Sequence, residues 1–252
     1  MKEIDAQHQS LYTSEAGHYD ARRFSSRRGQ LCHHYEQRSL VRLLSPLKGT
    51  RVLDVPAGTG RIAEALIAAG ADVVAADLTS AMLSVARQKI LDARGNALSR
   101  GRFCPVNANG RQLPFPEASF DRVISVRFLH LIPPDDWPGF LSEMRRVTKP
   151  RGHLVVQIFN PLFGGPLALL RQLHRRARAQ PGEQFVWPHK IRSIFSAGGL
   201  EVLSVGSYWL PGMAFLGAPG TTLLDRLSRA CEKPPLKWIA GPHHVLARPK
   251  HR

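Results

Sequence analysis

The sequence predicts an α/β fold: a mostly parallel sheet with helices on both faces. Three observations predict it. From residue 51 to residue 159, apolar runs of strand length alternate with helix-length amphipathic stretches. The first run, Arg51-Val-Leu-Asp-Val55, leads into Pro56-Ala-Gly-Thr-Gly60, and a second run, Val73-Val-Ala-Ala-Asp77, ends in another acid. Two parallel strands ending in acids, with glycines at the first strand-to-helix turn, describe a crevice for a nucleotide-type ligand at the strand carboxyl ends.

Each element follows in order. Residues 1–28 are polar and read as a partly ordered arm. Residues 30–45 carry Leu31, Tyr35, Leu40, Val41, Leu43 and Leu44 at helical spacing, closed by Pro46 and Gly49. Strand one is Arg51–Val55 and helix A is Arg61–Ala69. Strand two is Asp72–Ala76, and helix B is Thr79–Asp92 with Thr79 or Ser80 as its N-cap. Strands three and four are Arg102–Val106 and Phe120–Val126. A helix over Asp135–Val147 and a fifth strand over Gly152–Phe159 complete the regular alternation. Beyond Asn160 the pattern loosens into a basic helix at Pro166–Ala179 and a further helix at Pro188–Ala197. A sixth strand at Leu200–Tyr208 is followed by an irregular stretch, Trp209–Ala240, with a helix at Thr222–Cys231. A short last strand covers His243–Arg248.

Composition bounds the function classes. A chain of 252 residues, 43% hydrophobic, buries one sizeable α/β domain. It has no apolar stretch of about 18 residues and no signal-like apolar core near Met1, so a cytoplasmic protein is expected. Three well-separated cysteines, Cys32, Cys104 and Cys231, have no metal-ligand spacing and argue against a disulfide framework, and no metal site is expected. The net charge of +16 favours anionic partners, although an arginine-rich solvated surface is the stronger reading of it.

Five motifs in order carry a family resemblance: Val-Leu-Asp-Val-Pro-Ala-Gly-Thr-Gly (52–60), Ala-Asp-Leu-Thr-Ser-Ala-Met-Leu (76–83), Leu-Pro-Phe-Pro-Glu-Ala-Ser-Phe-Asp (113–121), Glu-Met-Arg-Arg-Val (143–147) and Pro-Arg-Gly-His-Leu (150–154). With them the chain resembles the class I S-adenosylmethionine-dependent methyltransferases, within them the bacterial ubiquinone/menaquinone-type C-methyltransferase group. The resemblance covers about residues 19–160, and 185–208 more loosely. It implies a Rossmann-like sheet of seven strands, mostly parallel with an antiparallel last strand. It also implies one methyltransferase domain over 1–252: an N-terminal arm and helix forming a lid (1–48), a cofactor-binding core (49–160) and a C-terminal half (161–252). Acceptor specificity is expected in the least regular parts, residues 1–45 and the acceptor-cap insertions at 160–187 and 209–240.

The resemblance assigns residues to S-adenosyl-L-methionine. Ala57, Gly58 and Gly60 pass against its methionine part and ribose, and Asp54 helps hold its amino group. Asp77 takes the two ribose hydroxyls or caps helix B, and both roles are compatible. Leu78 and Met82 flank the adenine, Asn109 accepts from its exocyclic amine, and Gly110 offers an N–H. The Arg127 backbone touches the cofactor and Tyr19 serves as a lid side chain. His130 either removes a proton from the acceptor or caps the following helix. The sequence departs from the family at Pro56, where glycine is usual, at Asn109, where an acid is usual, and at Leu131, where many relatives have a second histidine.

The implied reaction is in-line methyl transfer to a small-molecule or lipid-precursor acceptor, anionic or phenolic in character. A peripheral contact with anionic membrane fits the charge, and no specific nucleic acid is expected. Two other readings fit parts of the chain. One is a methyltransferase fold acting on nucleic acid or at a membrane surface. The other is a nicotinamide-dependent oxidoreductase, whose fingerprint Gly58-x-Gly60-x-x-Ala63 with Asp77 satisfies formally.

Overall fold

The computed structural model describes residues 3–95, 101–161, 184–210, 213–216 and 221–250. Seven strands form its frame: β1 (Arg51–Asp54), β2 (Asp72–Asp77), β3 (Phe103–Asn107), β4 (Phe120–Ser125), β5 (Thr148–Ile158), β6 (Leu200–Ser207) and β7 (His243–Pro249). They lie in the order β3-β2-β1-β4-β5-β7-β6. β1 pairs in parallel with β2 and β4, β2 with β3, and β4 with β5. β7 runs against both β5 and β6, so it is the reversed last strand that the resemblance implies.

Alternation of side chains builds the two layers. Val52 of β1 faces one side, where it packs with Leu40 and Leu44 of α3 (Arg27–Leu44) and with Ile62 and Leu66 of α4 (Arg61–Ala68). Leu53 faces the other side, with Phe140, Leu141 and Met144 of α6 (Trp137–Val147) and Ile191 and Phe195 of α7 (Ile191–Ala197). Both faces are therefore covered, which is why the inner strands read as continuous apolar runs. α5 (Ser80–Gly95) packs beside β2 and β3. Strand order reverses at β1, and the crevice of such sheets opens there, past the carboxyl ends of β1, β2 and β4.

The structure departs from the sequence-based expectation at its N-terminus. The arm expected to be only partly ordered is helical: α1 (Glu3–Glu15) and α2 (Tyr19–Phe24), joined by a short 3-10 turn, lead into α3. Hydrophobic periodicity missed α1 because it carries no apolar stripe. It docks largely through polar side chains at the crevice. The irregular stretch after Tyr208 does contain the expected helix, α8 (Thr222–Ala230). α3 fastens that stretch: Leu31, Cys32 and Tyr35 pack with Tyr208, Trp209, Met213, Leu224 and Cys231. Tyr35 donates to Asp225 at 3.0 Å, and Arg38 pairs with the same carboxylate at 2.8 Å. The expected basic helix at 166–179 lies outside the described residues.

Candidate functional site

A cavity lies at the carboxyl ends of β1, β2 and β4, roofed by α1. Its lining takes in Tyr19, Asp54, Ala57, Gly58, Asp77, Leu78, Met82, Asn109, Gly110 and Arg127, so ten of the residues assigned from sequence meet in one place. Gly60 and His130 are not among the described lining residues.

The two glycines of the turn do different work. Gly58 has φ +53°, and a Cβ there would meet nothing within 4 Å, so its backbone lies open toward a ligand. Gly60 has φ +70°, and a Cβ there would stand 2.8 Å from Ala86 Cβ, so this glycine lets the start of α4 close on α5. Pro56 has no left-handed φ. The N–H that ties the turn to β2 comes from Ala57, which donates to Ala76 O at 2.9 Å. Proline is therefore compatible with this turn, although the family usually has glycine there.

Asp54 closes β1 and Asp77 closes β2. Asp54 is buried, and its Oδ2 has no partner among the described residues. Burial pushes its carboxyl up to about 8; Arg61 opposes the rise and Asp77 adds to it. An orphaned acid beside a cavity suits a cation that brings its own charge. Asp77 is held by two backbone N–H groups at 2.8 Å, Gly58 to Oδ2 and Thr79 to Oδ1. Burial raises its pKa, and those two donors pull it back. The Thr79 bond lies just ahead of α5, which begins at Ser80, and Thr79 O accepts from Leu83 N–H in its first turn. The Thr79 hydroxyl also bonds this carboxylate, and the lone-pair positions left over can accept from a further hydroxyl.

The roof fits this floor through named contacts. Asp20 accepts from Thr59 Oγ1 at 2.7 Å and pairs with Lys89, which also donates to Thr59 O at 2.9 Å. This latch binds α2 to the glycine turn and gives the Tyr19-Asp20 pair a mechanical role. Gln9 donates to Leu78 O at 3.2 Å, and Tyr12 meets Tyr19 edge-on at 6.0 Å. Asp5, His8, Gln9 and Tyr12 all line the cavity. None was picked out from sequence, because only the folded chain brings α1 over the strand ends.

Arg127 has φ +57°, and its N–H donates to Gln157 Oε1 at 3.2 Å. Its guanidinium pairs with Glu36 at 3.1 Å, and Arg61 pairs with the same acid at 2.5 Å. Gln157 Nε2 and Tyr208 Oη also donate to Glu36, at 2.7 and 2.8 Å. Both arginines lie over the ring of Phe24, at 4.4 Å for Arg61 and 5.3 Å for Arg127. Glu36 thus fixes two cations of the lining. Glu36 was not picked out from sequence, where its only trace is an acid among the apolar positions of 30–45.

His130 packs its ring against Phe159 at 4.6 Å. Burial, with Arg127 and Arg23 nearby, lowers its pKa to about 3, so it is neutral near pH 7 and a weak base. Among the described residues there is no group of three or more metal-ligating side chains, and no helix is long and apolar enough to cross a membrane.

Comparison with known proteins bears on this geometry. A family model described as a methyltransferase domain matches residues 52–152. Demethylmenaquinone methyltransferase of Parafrankia sp. (strain EAN1pec) is 38% identical over 180 residues, covering 65% of this chain and 70% of that protein. The enzyme of the same name from Clavibacter sepedonicus is 38% identical over 52% of this chain, and there the chain spans 49% of its relative. Magnesium protoporphyrin IX methyltransferase from Synechocystis PCC 6803, solved with bound SAH, aligns with a TM-score of 0.67. That alignment covers 98% of this chain and 100% of the other at 16% identity, a likeness of fold.

Proposed function

The chain belongs to the class I S-adenosylmethionine-dependent methyltransferases, and we propose that it methylates a small-molecule or lipid-precursor acceptor, phenolic or anionic in character, in the cytoplasm. The observation that carries this reading is the pair Asp54 and Asp77 flanking the open Gly58 turn, with one buried oxygen of Asp54 unpaired among the described residues. These residues fit S-adenosylmethionine. Asp54 would hold its ammonium group and Asp77 its ribose hydroxyls. Leu78 and Met82 would flank its base. When bound, the sulfonium supplies both the methyl group and its own leaving group.

What remains for the chain itself is to align an acceptor and exclude water. α1, Tyr12 and Tyr19 close the roof. Phe128, Leu131 and Phe140 give the lining an apolar wall, and Arg127 adds one cation to it. A flat ring with an ionisable hydroxyl suits that combination. Quinol precursors have this character, and the menaquinone-type relatives support the choice. His130, neutral and off the lining, is left out of the chemistry.

The test is a titration with S-adenosylhomocysteine between pH 6 and pH 8. In the free protein, Asp54 holds a proton below about pH 8. Pairing it with an ammonium group requires that proton to leave. Affinity should therefore fall by about tenfold per pH unit below 8. The binding enthalpy should also change with the ionisation enthalpy of the buffer. No binding at any pH removes the methyltransferase reading, whereas binding with no proton release removes the role of Asp54. Incubation with S-adenosylmethionine and a naphthoquinol, followed by mass spectrometry for one added methyl group, tests the acceptor class.

The same proposal includes a peripheral contact with anionic membrane. Phe215 is 89% exposed, and Leu216 and Leu223 are about half exposed. On the exposed side of α8, Arg226 and Arg229 accompany Leu223. Apolar side chains among arginines suit an anionic lipid surface. Flotation with phosphatidylglycerol vesicles should retain the protein at low salt, and phosphatidylcholine vesicles should not. Equal recovery from both would remove the contact.

A further inference from the structure

We propose that Asp5, carried in on α1, reads the 6-amino group of the cofactor's base and so makes the roof part of cofactor selection. This rests on the methyltransferase reading above. A purine 6-amine is a donor and needs an acceptor at its end of the cavity. Leu78 and Met82 mark that end, and Asn109 was the acceptor expected there. Asn109 is otherwise engaged. Its Oδ1 accepts from the Arg111 N–H at 2.9 Å, and its Nδ2 donates to Asp5 Oδ2 at 3.3 Å. The amide therefore turns its donor side toward a second acceptor, and that acceptor is charged.

Asp5 is 7% exposed and lines the cavity beside Asn109. Both of its contacts are long. Arg111 Nε reaches Oδ1 at 3.3 Å, and the same guanidinium pairs with Asp136 at 3.1 Å. Charge-assisted bonds to a carboxylate usually lie at about 2.7–2.9 Å. Asp5 thus holds its partners loosely, and two of its roughly four lone-pair positions remain for a ligand. Gln9, one helical turn further along α1, bonds Leu78 O and sets the helix at this depth. An acid from the roof therefore stands where the strand end supplies only an amide.

The rival account is that Asp5 only latches α1 to Arg111. Two ligands separate the accounts. S-adenosylhomocysteine presents a 6-amine, whereas S-inosylhomocysteine presents a 6-oxo acceptor that a carboxylate repels. Wild-type protein should prefer the first by about tenfold or more, because the wrong ligand leaves a buried acceptor unpaired. In Asp5→Asn the amide can donate to the 6-oxo group, and the preference should fall to near parity. Arg111→Met breaks the latch and keeps the acid, so both ligands should weaken together with their ratio unchanged. Each ratio is measured on one protein, so a loss of stability does not produce it. An unchanged ratio in Asp5→Asn, or a ratio that falls as far in Arg111→Met as in Asp5→Asn, overturns the proposal. Wild-type protein that binds S-adenosylhomocysteine without preference overturns this inference alone, and wild-type protein that binds neither ligand overturns the reading beneath it.

Discussion

Replacing Asp77 with alanine should weaken S-adenosylhomocysteine by about 100-fold or more. The carboxylate has two separable roles. Toward the protein it accepts from Gly58 N–H and Thr79 N–H, both at 2.8 Å, and this shapes the glycine turn and the start of α5. Toward the cavity, which it lines, it would accept from the ribose hydroxyls on the proposed reading. Hydrogen bonds to a charged group are worth about 1.5–3 kcal/mol each, and a net loss near 3 kcal/mol is about two decades in affinity. Losing the turn's anchor adds to that, because Gly58 N–H then faces the ligand without a fixed direction. Asp77→Asn should not restore binding, because one of two backbone donors would then meet an amide donor. Isothermal titration reads the affinity, and thermal melting without ligand reads the turn separately. An alanine variant that binds within threefold of wild type would end the ribose assignment.

What the sequence made legible was whatever local period and backbone freedom fix. Asp54 and Asp77 close apolar runs, and alternation along those runs decides which side chains enter each layer, so their placement at the strand ends followed. The glycine turn was legible for the same reason, since Gly58 and Gly60 both have positive φ. The seven-strand order and the reversed β7 agree with the family resemblance. The N-terminus was not legible. α1 has no apolar stripe, and its reason for being helical and docked lies about a hundred residues away, where Asp5 meets Asn109 and Arg111. The direction of the His130 ring was hidden for a related reason. The loop after β4 turns at Arg127 with φ +57°, and the residues that follow aim that ring at Phe159. Partners separated by long stretches of chain leave no periodic trace.

Glu36 is the residue whose loss should destabilise the free protein most. It is fully buried and accepts from Arg61, Arg127, Gln157 and Tyr208. Burial alone would push its carboxyl up. The two guanidinium groups, with the Gln157 amide, overcome that and hold it well below the usual carboxylate range. Glu36→Gln keeps the shape and removes the charge, leaving two largely buried cations uncompensated. Breaking one side of such a buried pair typically costs about 3–5 kcal/mol, a large part of a stability of about 5–15 kcal/mol. Urea denaturation at pH 7 should show that loss as a lower midpoint. The pH dependence follows from the direction of the shift. A carboxyl depressed by folding contributes its stability above the unfolded value near 4.3, and loses it as pH falls through the lower folded value. The gap between wild type and Glu36→Gln should therefore stay constant from pH 8 down to about 5 and close in stronger acid. A gap below about 1 kcal/mol at pH 7, or one that already narrows between pH 8 and 6, would mean that Glu36 does not hold Arg61 and Arg127 as an ionised partner.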